Sequence, residues 1–465
     1  MMNHYYYDVQ VRYALGYRDL SAGYLVVRTV YNFRQRLVEH MQETGENLIE
    51  VAFEHLTDEQ IAAFEVRTDK IRMDSTMIAS NIRETTRLQL LVEVLQRVYR
   101  MLDETTQHRY AAEFEPFLKG SSGQYIYHLQ QEAYPEHLQR IGILMQRLVT
   151  ELEAAYGHHP IYQVLQRVFK EHFVVADNGL RPKEGTELSA SSLQSPDDQE
   201  ATYREKRGVG YVGYTGNGAE TCHPKNDVQL IVKVQVEPNT TDDAVMLDDA
   251  LPELQERMEV KEMYTDGGYN SPQVDETMRD QGVKHIQSAI RGRQPAEDKL
   301  GWEDFTWETT AAGEPETVTC PGGQTVDVTP GRKADRYRAA FAADQCASCP
   351  LREQCRTQSL KQTPERVAYV SQSQVDLALR RQRSAQARAS GQNLRAAVEA
   401  TMRSLKHPFR NGKVPVRGLA RVSMVVIAVA AMTNARRIHR YQVAKRENEV
   451  VEKTETRIQN RTENE

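Results

Sequence analysis

The stretch Arg395-Ala-Ala-Val-Glu399-Ala-Thr-Met-Arg403-Ser-Leu-Lys406 sets one carboxylate among bases, with the spacing Arg-x3-Glu-x6-Lys. Between Arg380 and Arg440 there are fourteen Lys or Arg and a single acid, Glu399. A lone carboxylate in such surroundings can hold a metal ion against a phosphate that the bases grip. It can equally be one arm of surface ion pairs with Arg395 and Arg403, worth roughly a few tenths of a kcal/mol. At about 100° per residue, Leu394, Val398, Met402 and Leu405 share one helical stripe, and Arg395, Glu399, Arg403 and Lys406 share the next. The acid would then stand at the edge of a packed face.

Two further carboxylates lie where strands are expected. Asp74 sits in Ile71-Arg-Met73-Asp74-Ser-Thr76, where apolar and polar residues alternate. Asp266 closes the short strand Val260–Thr265, and Gly267-Gly268 behind it let the backbone turn sharply. Three carboxylates gathered at one end of a sheet would suit phosphoryl transfer. There, two divalent ions roughly 3.5–4 Å apart clamp the attacking and leaving oxygens. Mg2+ (or Mn2+) accepts such hard oxygen ligands and keeps several waters.

The cysteines make a second constellation: Cys320-Pro-Gly-Gly, then Cys346-x2-Cys349-x5-Cys355. Four thiolates with one Cys-x2-Cys pair fit a structural Zn2+ site, but free thiols or an iron–sulfur cluster fit them as well. Cys222 reads as a packing residue. Gly208-x-Gly210-x2-Gly213 matches a nucleotide-loop pattern without the strand before it or the helix after it. His407-x2-Arg410 with Tyr441 has the layout of a tyrosine recombinase but no second upstream Arg in a fitting context. The 22 tyrosines read as core and surface residues rather than base-stacking platforms.

The elements that must position these groups are legible in outline. Residues 1–65 read as helical, over Ala14–Leu37 and Leu48–Phe64, and a second helical block follows Asp74, over Leu88–Val98, Leu138–Tyr156 and Ile161–Phe173. Residues 175–206 read as a long loop. Strands are expected at Gly208–Tyr214 and Val228–Val236, separated by a Gly- and Asn-rich stretch, then a helix over 243–258. After Asp266, Ser271-Pro272 opens a helix, and Val283–Ile290 reads as a strand. Residues 291–380 read as irregular, and helices resume near Ser384 and run to about Val443. Without its inserts the chain is an α/β protein with a mixed sheet. The expected organisation is a helical N-terminal remnant (1–65), a first core part (66–290) with a helical insert at about 80–175, a Cys-bearing insert (291–380), core helices with Glu399 (381–443) and a disordered charged tail (444–465).

Charge is unevenly spread. The Arg380–Arg440 stretch sums to +13 in a chain of 465 residues whose total is −6, so the remainder carries −19. That asymmetry fits a polyanion-binding face on an otherwise acidic protein, though a solvated basic helix would look the same. The most apolar run, Val422–Met432, is eleven residues and reads as a buried helix rather than a membrane span. With no signal-peptide pattern at the start and five unevenly spaced cysteines, a cytoplasmic location is expected.

Taken together these motifs resemble the DDE transposases of bacterial insertion sequences, over about Tyr13 to Tyr441. In that family the first Asp lies on the first core strand, as in Met73-Asp74-Ser75-Thr76. The second ends the fourth, as in Tyr264-Thr265-Asp266-Gly267-Gly268-Tyr269. The Glu lies in Tyr-x2-Arg-x3-Glu-x6-Lys, matched by Arg395, Glu399 and Lys406, with Gln392 where the family has Tyr. Leu193–Arg204 and Ser404–Arg410 also resemble one branch of the family. The resemblance implies a ribonuclease H-like mixed sheet flanked by helices, with a large helical insert and a Cys-containing insert. It implies Asp74, Asp266 and Glu399 as ligands of two Mg2+ ions, and cleavage and strand transfer at insertion-sequence ends. Arg395, Arg403, Lys406, Arg410 and Lys413 would contact DNA. The partners would be double-stranded DNA, at terminal inverted repeats and target, and at least a second copy of the chain, in the bacterial cytoplasm at the nucleoid, with no membrane. Relative to its branch the N-terminal helical region is short, so a silent, truncated DNA-binding remnant stays open beside the active enzyme, as does a related metal-dependent nuclease.

Overall fold

The computed structural model describes all residues except 1, 20–22, 24, 128, 177–178, 291–295, 297, 311, 361–363, 392–393 and 463–465. The N-terminal region forms α1 (Met2–Tyr7), α2 (Val9–Ala14), α3 (Val27–Thr44) and α4 (Leu48–Ala63). The helix expected over Ala14–Leu37 is interrupted, because Gly16 and Gly23 adopt φ of 82° and 68°, which ends helical geometry between α2 and α3. Asn47 caps α4 by accepting the Ile49 N–H.

Strand β1 (Lys70–Ala79) carries Asp74 at its centre. After it come α5 (Arg87–Met101), α6 (Glu104–Arg109), α7 (Ala111–Leu118), α8 (Ser122–Tyr127), α9 (Tyr134–Tyr156) and α10 (Pro160–His172), which bury a core of their own around Leu91, Leu95, Ile141 and Leu165. Pro135 opens α9 at its first turn instead of breaking a helix. The stretch 175–206, expected as a loop, contributes strands: β2 (Phe173–Ala176) and β3 (Gly179–Pro182) form a hairpin, and β4 (Thr202–Lys206) joins the main sheet. β4 is the polar Thr-Tyr-Arg-Glu-Lys, so hydropathy alone does not mark it.

β5 (Val209–Thr221) runs straight through the Gly- and Asn-rich stretch expected to separate two strands. Its glycines serve close approach. A Cβ on Gly218 would lie 2.7 Å from Met402 Cε, and one on Gly216 would lie 2.6 Å from Ile78 Cδ1. Next come β6 (Ile231–Pro238), α11 (Asp243–Arg257), β7 (Glu262–Thr265), α12 (Pro272–Asp280) and β8 (Lys284–Gln287). Ser271 caps α12 by accepting the Val274 N–H, as its position before Pro272 predicts.

The main sheet runs β4-β5-β1-β7-β8, with β6 also on β5. β5 is antiparallel to β1, β4 and β6, whereas β7 is parallel to β1 and β8 to β7. In chain order of the core strands the lateral sequence is third, second, first, fourth, fifth, the mixed ribonuclease H-like sheet.

Residues 291–380 are not irregular. Strands β9 (Thr306–Thr309), β10 (Pro315–Thr319), β11 (Thr325–Pro330), β12 (Arg336–Phe341), β13 (Gln358–Ser359) and β14 (Arg366–Ser371) form a second, antiparallel sheet, with the short helix α13 (Ala343–Ala347) between β12 and β13. Their Thr-rich alternation is masked by Arg, Asp and Glu on the exposed face. Trp302, Phe305, Trp307, Phe341 and Val370 fill the sheet's core. Helix α14 (Gln372–Ala389) begins twelve residues before the expected Ser384, capped by Ser371. α15 (Val398–Lys406) and α16 (Leu419–Thr462) complete the chain. The tail from residue 444, expected to be disordered, continues α16 to Thr462, consistent with its Glu, Lys, Arg and Gln content.

α16 lies on the sheet. Val422, Val426, Ile427 and Ala430 are fully buried, and Asn434 both accepts from the Ile231 N–H and donates to the Ile231 carbonyl, each at 2.8 Å. By length and composition Leu419–Val450 is also long and apolar enough to cross a membrane. Part of that segment, 39% of its apolar window, is buried where the helix packs on α4, β6 and α15.

One buried carboxylate ties these layers together. Glu220 of β5 is 0% exposed and accepts from Arg72 Nε, Thr401 Oγ1 and Arg437 Nη1, each at 2.7 Å. Removing it would leave guanidinium charge buried without its counter-ion. Glu220→Ala is expected to cost about 3–5 kcal/mol of unfolding free energy in urea titrations. Glu253→Gln, which removes a more exposed partner of Lys233, should cost under about 1 kcal/mol.

Candidate active site

Asp74 and Asp266 are neighbours across parallel strands. The β1–β7 ladder pairs Ile71 with Met263 and Arg72 with Tyr264; continued two residues past its end it brings Asp74 to Asp266, whose charges act on one another. Asp74 is held inward, its side chain 13% exposed, and accepts from the Ser75 N–H at 3.0 Å and from Arg395 Nη2 at 3.1 Å. Burial pushes its carboxyl above the usual aspartate range. Arg395 and the Ser75 N–H oppose that shift, and the Asp266 charge adds to it. Asp266 caps its own turn by accepting the Gly268 N–H at 2.7 Å. Its backbone carbonyl takes Thr265 Oγ1 at 3.0 Å and Gln287 Nε2 at 3.2 Å.

Glu399 stands in the first turn of α15, whose Val398, Met402 and Leu405 are buried as the stripe predicts. Arg395 is not on that helix. It lies in the turn before it and reaches Asp74 on one side, with Glu399 Oε1 4.0 Å away on the other. Arg395 therefore links Asp74 to Glu399, while Asp266 is placed at the end of β7. Glu399 itself is 72% exposed, and Arg395 Nε is buried with no hydrogen-bond partner among the described residues. Gln392, at the position of the family's Tyr, lies outside the described residues.

The expected DNA contacts divide. Arg403 and Arg410 are exposed, and Lys406 is half-buried, its ammonium pKa lowered by burial. Lys413 instead donates to the Ile82 carbonyl at 2.8 Å, where the Val414 N–H also bonds Ala79 O at 3.0 Å. It therefore fixes the far end of β1. Beside Arg395 a cavity of about 230 Å³ opens between β7, β8 and α14, lined by Tyr264, Gln287, Ser288, Arg388 and Leu394.

Three supporting residues escaped the sequence reading. Glu220 holds Thr401, two residues past Glu399, and Arg72, two residues before Asp74, while Arg72 Nη1 donates to Leu394 O at 2.8 Å. Tyr269, fully buried, donates to Asn217 Oδ1 at 2.7 Å. Its phenol is pushed well up, first by burial and then by Asp243, Asp74 and Asp266. His285 meets Thr265 Oγ1 through Nε2 at 2.8 Å, and burial drives its pKa down to about 3. Thr265 Oγ1 is also within reach of the Asp266 carbonyl at 3.0 Å. An acid or histidine inside a strand is a weak signal, because only its partners distant in sequence reveal its role.

The donor set suits a hard divalent ion: adjacent like-charged carboxylates, one buried and raised in pKa, with a guanidinium balancing the charge. Among the described residues, no group of three or more His, Cys, Asp or Glu is assembled to hold a metal. Holding one with all three acids thus requires Glu399 to turn inward and Arg395 to leave Asp74. The four insert cysteines are free thiols around a separate small cavity, and Cys222 is buried, its thiol raised to about 12 by burial.

Because Asp74 has a raised folded pKa, the folded chain binds more protons than the unfolded chain between the two values. Its contribution to stability therefore falls as pH rises through that window. Metal-free Asp74→Asn should melt above the parent at neutral pH and level with it below the ordinary aspartate range. Adding Mg2+ should raise the parent's melting temperature and leave the variant's unchanged. Thermal melts across pH, with chelator or with Mg2+, check both.

Residues 319–439 match a family model described as a transposase DDE domain, a span that covers the four insert cysteines and runs through Glu399 into α16. No curated protein and no solved structure matches the chain. Over residues 319–439 the chain is thus similar to the transposase DDE domain.

Proposed function

We propose that this chain is a transposase that cleaves DNA at the ends of an insertion sequence and joins them to a target, using Asp74, Asp266 and Glu399. The observation that carries the reading is the register that sets Asp74 beside Asp266, with Arg395 reaching from Asp74 toward Glu399. Asp74 and Asp266 would hold the metal from adjacent strands, and Glu399 would close the set from α15. Two divalent ions bound there would supply activation of the attacking oxygen and neutralisation of charge on the leaving one.

The chain's own residues do the rest. Arg395 pairs with Asp74 and is placed to turn to a DNA phosphate when the acids take up cations. Exposed Arg403 on α15 and Arg410 just beyond it, with half-buried Lys406 between them, add phosphate grip. Tyr269 and His285 hold the Asp266 turn from beneath. Pairing two element ends calls for at least two copies of the chain on DNA, in the cytoplasm where the element resides.

A second reading, a silent DNA-binding remnant, draws on Glu399 being 72% exposed rather than turned in. Mg2+-dependent nicking of labelled DNA carrying the element's ends separates the two. Glu399→Gln should lower nicking on the order of a hundredfold or more, the scale of losing one preorganised charge contact, and leave end binding intact. Nicking unchanged in the variant would remove Glu399 from the site, and binding without nicking in the parent would favour the remnant. Arg403→Gln should weaken binding to all sequences alike and lower the salt slope by about 1.

A further inference from the structure

We infer that Cys320, Cys346, Cys349 and Cys355 form a structural zinc site that fastens the loop between β12 and β13 to the β10–β11 turn. The assignment is independent of the phosphoryl-transfer reading. All four are free, half-buried thiols that line one cavity of about 30 Å³. That leaves room for a single ion between the thiols.

The backbone is shaped for the task. At Cys320-Pro-Gly-Gly the Gly323 N–H returns to Cys320 O at 2.8 Å, and the Gln324 N–H points at Cys320 Sγ at 3.4 Å. A Cβ on Gly322 would lie 3.3 Å from Cys349 Sγ and 3.6 Å from Cys320 Sγ, so this turn and the Cys-x2-Cys segment face each other across a gap that a side chain would fill. Cys349 is folded back on Cys346 through its N–H at 3.4 Å, and Cys355 follows through a turn on Arg352.

Charge supplies a second, independent argument. The cavity is lined by Arg352 and Arg366 and, among the described residues, by no carboxylate. Arg366 donates to Thr357 Oγ1 at 2.9 Å, Thr357 O at 2.5 Å and Ser359 Oγ at 3.3 Å, all neutral acceptors. Four neutral thiols leave that guanidinium charge unbalanced. Zn2+ with four thiolates carries a net double negative charge and balances it, and thiolate sulfur selects zinc over Mg2+. The thiols do not yet stand at ligand spacing. Binding therefore draws the loop onto the turn, releases up to four thiol protons to solvent, and adds metal-binding energy to the folding of the second sheet.

The test is metal analysis of the full chain, purified and dialysed under reducing conditions without DNA. About one zinc per chain is expected, falling severalfold in Cys320→Ser and Cys349→Ser and unchanged in Cys222→Ser. Stripping zinc with a chelator should lower the melting temperature by at least about 5 °C, restored by Zn2+ and not by Mg2+. Should the variants fail to fold, alkylation of the parent decides. Added Zn2+ should protect four of its five thiols. Iron in place of zinc, or five thiols reacting alike with and without Zn2+, would overturn the assignment.

Discussion

Everything at the acidic site depends on a carboxylate that does no chemistry there. Glu220 is sealed beneath β5 and accepts from β1, α15 and α16 at once. A buried charge is tolerated only when its partners are complete, so this position admits one arrangement of those three elements. Arg72 carries the constraint further by holding the Leu394 carbonyl, just before Arg395. The strand that bears Asp74 and the helix that bears Glu399 are thus indexed to one another through a shared counter-ion, although more than 300 residues separate them in sequence.

The acids themselves are a balance of like charges. Asp74 and Asp266 are forced together by parallel pairing, and burial of Asp74 makes that proximity costly. Arg395 relieves part of the cost. A divalent cation would relieve more, because it adds charge between the two carboxylates rather than beside one. The Asp266 turn is correspondingly rigid. Its carboxylate, its carbonyl and the neighbouring Thr265 all have fixed partners, so little of the turn is free to collapse away from Asp74.

What could be read in the sequence followed local rules. Ser271-Pro272 announced α12, the apolar stripe announced the buried face of α15, and Gly267-Gly268 announced the turn after Asp266. What could not be read depended on distant partners. β5 looked like a hairpin gap because its glycines accommodate Met402 and Ile78, which lie far along the chain or on another strand. The second sheet looked irregular because one face is polar, and its apolar face is interpretable only once Trp302, Phe305 and Phe341 are seen to meet. The spacing Arg-x3-Glu suggested a helical pair. Arg395 instead lies before the helix and answers to Asp74, a contact that no local periodicity encodes.

Helix α14 explains why the cysteine-bearing sheet sits between Asp266 and Glu399 in the chain without disrupting the site. Arg380 donates to Asn270 and Asp275, just beyond the Asp266 turn, and Arg279 pairs with Asp376 at 3.1 Å. From the same helix Arg381 pairs with Glu303 at 2.7 Å, and Gln382 donates to the Phe305 carbonyl at 2.7 Å. One face of α14 therefore grips the core while another grips the insert. A rigid insert holds α14 in place, α14 braces the segment after Asp266, and the turn into α15 starts from its end. Loosening the cysteine-bearing loop would then reach the acids through this helix, even though no cysteine lines the cavity beside them.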